Sequence, residues 1–159
     1  MVLAPVPHRQ YVFTVPRLLR PVFARCRAWS GELCRIAARL LADAYAATLP
    51  GGKPGLILFA QTFGDLVNFN PHVHVLAADG AFLPDGRFVT LPAVPGSLLA
   101  EGFGRAVLEF LVNNDALSEG LRSRMLDWRA ALLHILKFAQ GIMYTDRIRC
   151  PRPNGGQLP

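Results

Sequence analysis

The strand-like run Leu56–Phe63 (LILFAQTF) is parted from a second run, His72–Ala78 (HVHVLAA), by only the short connection Gly64–Asn70 and by Pro71, which leads into the second run. A connection of that length joins antiparallel neighbours, because a parallel crossover takes about a dozen residues or more. The middle third of the chain is therefore committed to antiparallel sheet. Within the second run, His72-Val73-His74 sets two imidazoles side by side on one face, since successive strand side chains alternate.

The flanking segments supply one more strand and the helices. His8–Val15 (HRQYVFTV) is rich in β-branched and aromatic residues and closes at Pro16, which reads as a strand. Pro16 and Pro21 open a helical stretch. From Val22 to Ala47 apolar residues such as Phe23, Leu33, Ile36, Ala37, Leu40 and Leu41 recur at spacings of three and four, with Arg25, Arg35 and Arg39 between them. This predicts an amphipathic helix, bent at Ser30-Gly31, that packs on the sheet. Asp79-Gly80 is a turn signal, and Ala81–Leu83 and Arg87–Leu91 flank Pro84-Asp85-Gly86 as a hairpin. Ser97 is placed to cap a helix running to Asn113-Asn114, and a further helix starts near Ser118 and passes Trp128. The last ten residues, Cys150–Pro159 (CPRPNGGQLP), are expected to be disordered. The expected fold class is α+β, an antiparallel sheet with helices packed on it.

A chain of 159 residues suits one domain with a real core. Its net charge of +6 is unevenly spread. Residues 1–50 carry seven Arg against Glu32 and Asp43, residues 51–116 have a balance of −3, and the remainder is again basic. Basic flanks around a mildly acidic centre suit phosphate contacts beside a cation site, and they suit a merely solvated surface equally. Cys26, Cys34 and Cys150 form no C-x-x-C pair, which argues against a zinc ribbon or a disulfide framework and fits a reducing cytoplasm. No stretch reaches about 18 uninterrupted apolar residues, so neither export nor a membrane span is expected.

Imidazole binds first-row divalent ions, and an amide, carboxylate or water oxygen can complete a site that accepts magnesium or manganese. Gln61, on the strand expected to pair with the histidine strand, is the candidate third ligand, or else a strand-end amide that serves loop backbone. Asp65 and Asp79 are the nearest carboxylates in sequence, with Asp79 read first as a turn residue because Gly80 follows it. A three-ligand site leaves positions open to a phosphoryl oxygen.

These residues also carry a family resemblance. Gln61-Thr62-Phe63-Gly64, then Leu66 and Asn68, then Pro71-His72-Val73-His74, Asp79-Gly80 and Asp85-Gly86-Arg87-Phe88 resemble the HUH-type, two-tyrosine transposases of bacterial insertion sequences that move by a rolling circle. The opening His8–Pro16 with Leu19-Arg20 does so too, and the likeness spans about residues 8 to 128. It implies a palm domain of the ferredoxin or RRM-like kind over residues 1–128, followed by a divergent tail, 129–159. It also implies a DNA-binding, metal-dependent single-strand nuclease and strand transferase acting at insertion-sequence ends, with His72, His74 and Gln61 on a divalent metal, Mg or Mn.

In such enzymes a tyrosine attacks the scissile phosphate and keeps the bond as a phosphotyrosine. The resemblance implies two tyrosines four residues apart, downstream of the histidines. This chain has Tyr11, Tyr45 and Tyr144 only. Tyr11 and Tyr45 belong to predicted core positions, which leaves Tyr144 as the sole candidate nucleophile. The expectation is thus an incomplete copy, inactive alone. The competing expectations are a non-catalytic module that binds single-stranded nucleic acid through arginines and aromatics and a structural metal site.

Overall fold

The computed structural model describes residues 4–64, 68–135 and 142–148. In chain order the elements are β1 (His8–Thr14), α1 (Arg20–Arg25), α2 (Ser30–Thr48), β2 (Lys53–Phe63), β3 (Phe69–Phe82), β4 (Phe88–Thr90), α3 (Gly96–Asn113), α4 (Glu119–Ile135) and β5 (Ile142–Ile148). The sheet runs β2-β3-β1-β5, with β4 also on β3, and all its pairings are antiparallel. The fold is α+β, as the sequence led us to expect. Among the described residues no helix is long and apolar enough to cross a membrane.

Strand alternation decides which face the helices cover. Tyr11 and Phe13 of β1 and Val73, Val75 and Ala77 of β3 share one core with Phe23 of α1, Leu33, Ile36, Ala37 and Leu41 of α2, and Leu99, Phe103 and Leu111 of α3. All the strand residues in that set are odd-numbered, so one face is buried under α1, α2 and α3 and the even-numbered residues of β1 and β3 turn to the other. The buried stripe of α2, Leu33, Ile36, Ala37, Leu41 and Tyr45, has the spacing of one helix face. Burial of such aliphatic and aromatic side chains stabilises by about 1.5–3 kcal/mol each.

The first helical stretch breaks earlier than expected. Cys26 leaves the helix with φ −114° and ψ 67° and a 3₁₀ turn, Arg27–Trp29, follows, whereas Ser30-Gly31 starts α2 without a bend. The detour seats Trp29 edge-on against Phe110, 5.2 Å between ring centroids, and near Phe23 at 6.5 Å. Packing of one large ring outweighs helix continuity here. Likewise Ser97 makes no cap: α3 begins at Gly96 behind Pro95, without a side-chain cap bond.

A larger correction concerns Asp79-Gly80, which is not a turn. β3 continues through both residues to Phe82, and the chain reverses at Pro84–Gly86, where Gly86 has φ +85°. Gly80 is there for close approach instead. A Cβ on it would stand 2.1 Å from the Val89 carbonyl oxygen and 2.8 Å from the Thr90 Cα. Gly80→Ala is therefore expected to push β4 off β3 at a cost of about 1–3 kcal/mol, seen as a lower urea midpoint and faster hydrogen exchange at residues 88–90. Unchanged exchange there would show that β4 yields without loss.

Residue 128, the expected end of the palm, falls inside α4, and β5 pairs with β1 in the same sheet. The ten C-terminal residues, 150–159, lie outside the described ones.

Candidate metal centre

The pairing of β2 with β3 puts Gln61 directly opposite His72, and Phe59 opposite His74. On the other side β1 puts Thr14 opposite His72 and Val12 opposite His74. All of these belong to the face that α1–α3 leave open. Between the Gln61–His72 and Phe63–Phe69 pairs the register shifts, so β3 carries one residue more than β2, around Asn70-Pro71. Proline lacks an amide hydrogen and is at home in such a bulge, and bulges re-aim the side chains beside them. The bulge is held by the Val15 N–H, which donates to the Pro71 carbonyl at 3.3 Å.

The local geometry assigns each ring nitrogen a task. His72 Nδ1 lies 2.6 Å from the Asn70 carbonyl oxygen, an acceptor only, so Nδ1 carries the proton and Nε2 keeps a lone pair in the neutral ring. That Nε2 faces Gln61 Oε1 at 3.1 Å. With the amide turned so that its nitrogen donates, this contact is an ordinary hydrogen bond to the Nε2 lone pair; with its oxygen presented, the two atoms would stand at the spacing of neighbouring ligands of one ion. Two donors at about 2.1 Å from an octahedral ion lie roughly 3 Å apart, so the observed spacing fits a shared ion.

His74 completes the arrangement. Its ring centroid is 4.8 Å from that of His72. Its Nδ1 lies 3.2 Å from the Gln10 amide nitrogen, and turning that amide lets the Gln10 oxygen accept from Nδ1–H instead, the outer contact that orients metal-binding imidazoles. His74 Nε2 is buried and finds no hydrogen-bond partner among the described residues, a costly state for a polar atom. One side of the ring is covered by Phe59, stacked at 5.0 Å and 6° between planes. Burial, and then the neighbouring His72 charge, hold the His74 imidazole below its usual basicity, which favours the neutral ligand form. His72 itself is 8 % exposed.

The sequence-derived candidates divide clearly. His72, His74 and Gln61 come together. Asp79 does not join them, which corrects its reading as a possible ligand: it is odd-numbered, lies about 16 Å along β3 from His74 at ~3.3 Å per residue, and is buried in an ion pair with Arg9. Asp65 lies outside the described residues. Among the described residues no group of three or more His, Cys, Asp or Glu is placed to hold a metal, and the described side chain nearest His72 Nε2 with a donor oxygen is the Gln61 amide. Tyr11 and Tyr45 are core residues, 1 % and 4 % exposed. Tyr144 stands in register with Tyr11 on the neighbouring strand.

Gln10, Asn70 and Phe59 were not singled out from the sequence. Gln10 was legible in principle, as the lone amide of a strand whose even positions face the histidines. The Asn70 carbonyl was not, because the bulge that presents it leaves no mark in composition. Comparison with protein families, with curated proteins and with solved structures finds no match.

Proposed function

We propose that this chain is the palm of an HUH-type insertion-sequence transposase, a cytoplasmic protein that binds single-stranded DNA at insertion-sequence ends. In this reading it takes a divalent ion, magnesium or manganese, at His72, His74 and Gln61, and lacks the paired tyrosines needed to cleave and rejoin strands alone. The observation that carries the reading is the placement of three donor side chains on one sheet face, with no hydrogen-bond partner for His74 Nε2 among the described residues and 3.1 Å between His72 Nε2 and Gln61 Oε1.

A divalent ion in that place supplies Lewis acidity toward a phosphoryl oxygen. The protein's own share is positioning. The Asn70 carbonyl fixes the His72 tautomer, Gln10 orients His74, and Phe59 keeps water off one face of that ring. Phe59 and Phe63, 47 % and 51 % exposed, offer rings on which unpaired bases stack. The positive net charge favours a polyanionic partner.

Binding without cleavage is the version the sequence favours, since no second tyrosine stands four residues from Tyr144. Labelled single-stranded insertion-sequence ends incubated with the chain and Mn²⁺ are expected to be retarded on a native gel in a salt-dependent way, with no covalent adduct on a denaturing gel. An adduct lost in Tyr144→Phe would overturn the inactive version in favour of a working nuclease. No retardation even at low salt would remove DNA as the partner.

A further inference from the structure

We propose that the cleft between the start of β3 and α1 is a phosphate-binding subsite for single-stranded DNA, with Arg17 and Arg20 as its cationic walls. It has a volume of about 320 Å³ and is lined by Arg17, Arg20, Pro21, Ala24, Asn68 and Phe69. This deepens the proposed function and rests on that reading only for the identity of the polyanion.

Two guanidinium groups line one small cleft with no acidic residue among its described walls. Among the described residues neither arginine belongs to an ion pair, although five other arginines do. Arg20 donates from Nε to the Val15 carbonyl at 3.3 Å, which fixes its stem and leaves the terminal nitrogens for another acceptor. Burial lowers the Arg20 basicity first, and the nearby like charge of Arg17 lowers it further. An anion between them relieves that repulsion, and phosphate suits the planar fork of arginine.

The walls also say which phosphate. The cleft is at the small end of the ligand-pocket range, about 300–1,000 Å³, the scale of a single nucleotide. The Asn68 amide and the Phe69 ring offer a hydrogen-bonding group and an apolar wall beside the cations. Phe69 in turn meets the exposed Phe63 ring edge-on at 6.5 Å. Phe69 is three residues before His72, roughly 10 Å along the strand, and Arg17 is three residues beyond Thr14, the β1 partner of His72. One DNA strand can therefore reach both the cleft and the histidine face by passing over this end of the sheet.

The test is the salt dependence of binding of a fluorescently labelled single-stranded oligonucleotide, followed by anisotropy with a chelator present so that metal has no part. Arg17→Ala with Arg20→Ala removes two phosphate contacts. The expected result is a fall of about 1.4 in the slope of log affinity against log salt and about a 25-fold weaker affinity at ~0.1 M salt. The exposed variant Arg17→Glu, which leaves the Val15 contact in place, is expected to weaken binding in the same direction. Arg105→Ala, on the outer side of α3, is expected to change neither quantity. An unchanged slope in both Arg17 variants overturns the subsite, as does competition by a duplex equal to that of the single strand. Loss of metal binding in His72→Ala with His74→Ala, with the arginine-dependent slope retained, keeps the subsite while testing the metal reading separately. If that histidine variant and the wild type alike take no Mn²⁺ and the slope still falls in the arginine variants, the metal reading fails and the subsite stands.

Discussion

Changing His72 and His74 together to Ala abolishes the Mn²⁺ binding that the wild-type chain is expected to show in calorimetric titration. Among the described residues the two rings supply the imidazole nitrogens that stand beside Gln61 on this face, and one amide oxygen left alone does not hold an ion against water. The variants around them grade the effect. Gln10→Ala frees the His74 ring without removing a donor, and a lost outer contact of this kind costs about 10–100-fold in metal affinity. Gln61→Glu separates two roles for that side chain. If its oxygen is a ligand, an added negative charge tightens Mn²⁺ binding. If it serves only as a hydrogen-bond acceptor for His72, the new carboxylate favours imidazolium, and metal binding weakens because a proton now competes for Nε2. Retention of wild-type affinity in the double histidine variant would end the metal reading altogether.

Much of this site could be read before any coordinates, and the reasons are local. Alternation with a period of two puts His72 and His74 on one face wherever their strand lies. The shortness of Gly64–Asn70 made β2 the antiparallel neighbour and so brought Gln61 to His72. What stayed hidden depends on distant partners. Nothing within Asp79-Gly80 distinguishes a turn from a strand that a second backbone approaches closely, because the deciding atoms are the Val89 carbonyl and Arg9, ten and 70 residues away. The pairing of β5 with β1 was invisible for the same reason: Ile142–Ile148 follows a stretch that does not resemble the family, and only the edge of β1 gives it a place. The break at Cys26 reflects a competition that periodicity cannot register, since the apolar spacing of Val22–Ala47 is the same with or without it, and the seating of Trp29 against Phe110 decides.

Asp79→Ala tests the other end of β3 and is expected to be the most damaging single change to the fold. Arg9 and Asp79 lie on adjacent strands, with Arg9 directly opposite Ala77, and their ion pair is buried, each residue being 2 % exposed. The Asp79 backbone is tied in as well: its N–H donates to the Pro7 carbonyl at 2.7 Å and its carbonyl accepts from the Leu91 N–H at 3.3 Å. The neighbouring Tyr45 hydroxyl donates to the Ala78 carbonyl at 3.1 Å, and burial drives that phenol well above its usual range. Removing the carboxylate leaves a guanidinium charge in this dry setting. Breaking a buried pair on one side costs about 3–5 kcal/mol, a large part of a total stability of about 5–15 kcal/mol. Urea unfolding of Asp79→Ala followed by circular dichroism is expected to show that loss. Arg9→Met with Asp79→Val, which removes both charges at a roughly similar total volume, is expected to recover most of it. A loss below about 1 kcal/mol, the range of an exposed pair, would mean that water reaches the pair. The same variant also bears on the metal centre. With Asp79 on the covered face, the folded fraction of Asp79→Ala keeps wild-type Mn²⁺ affinity, whereas a carboxylate ligand lost from the site would weaken binding together with the fold.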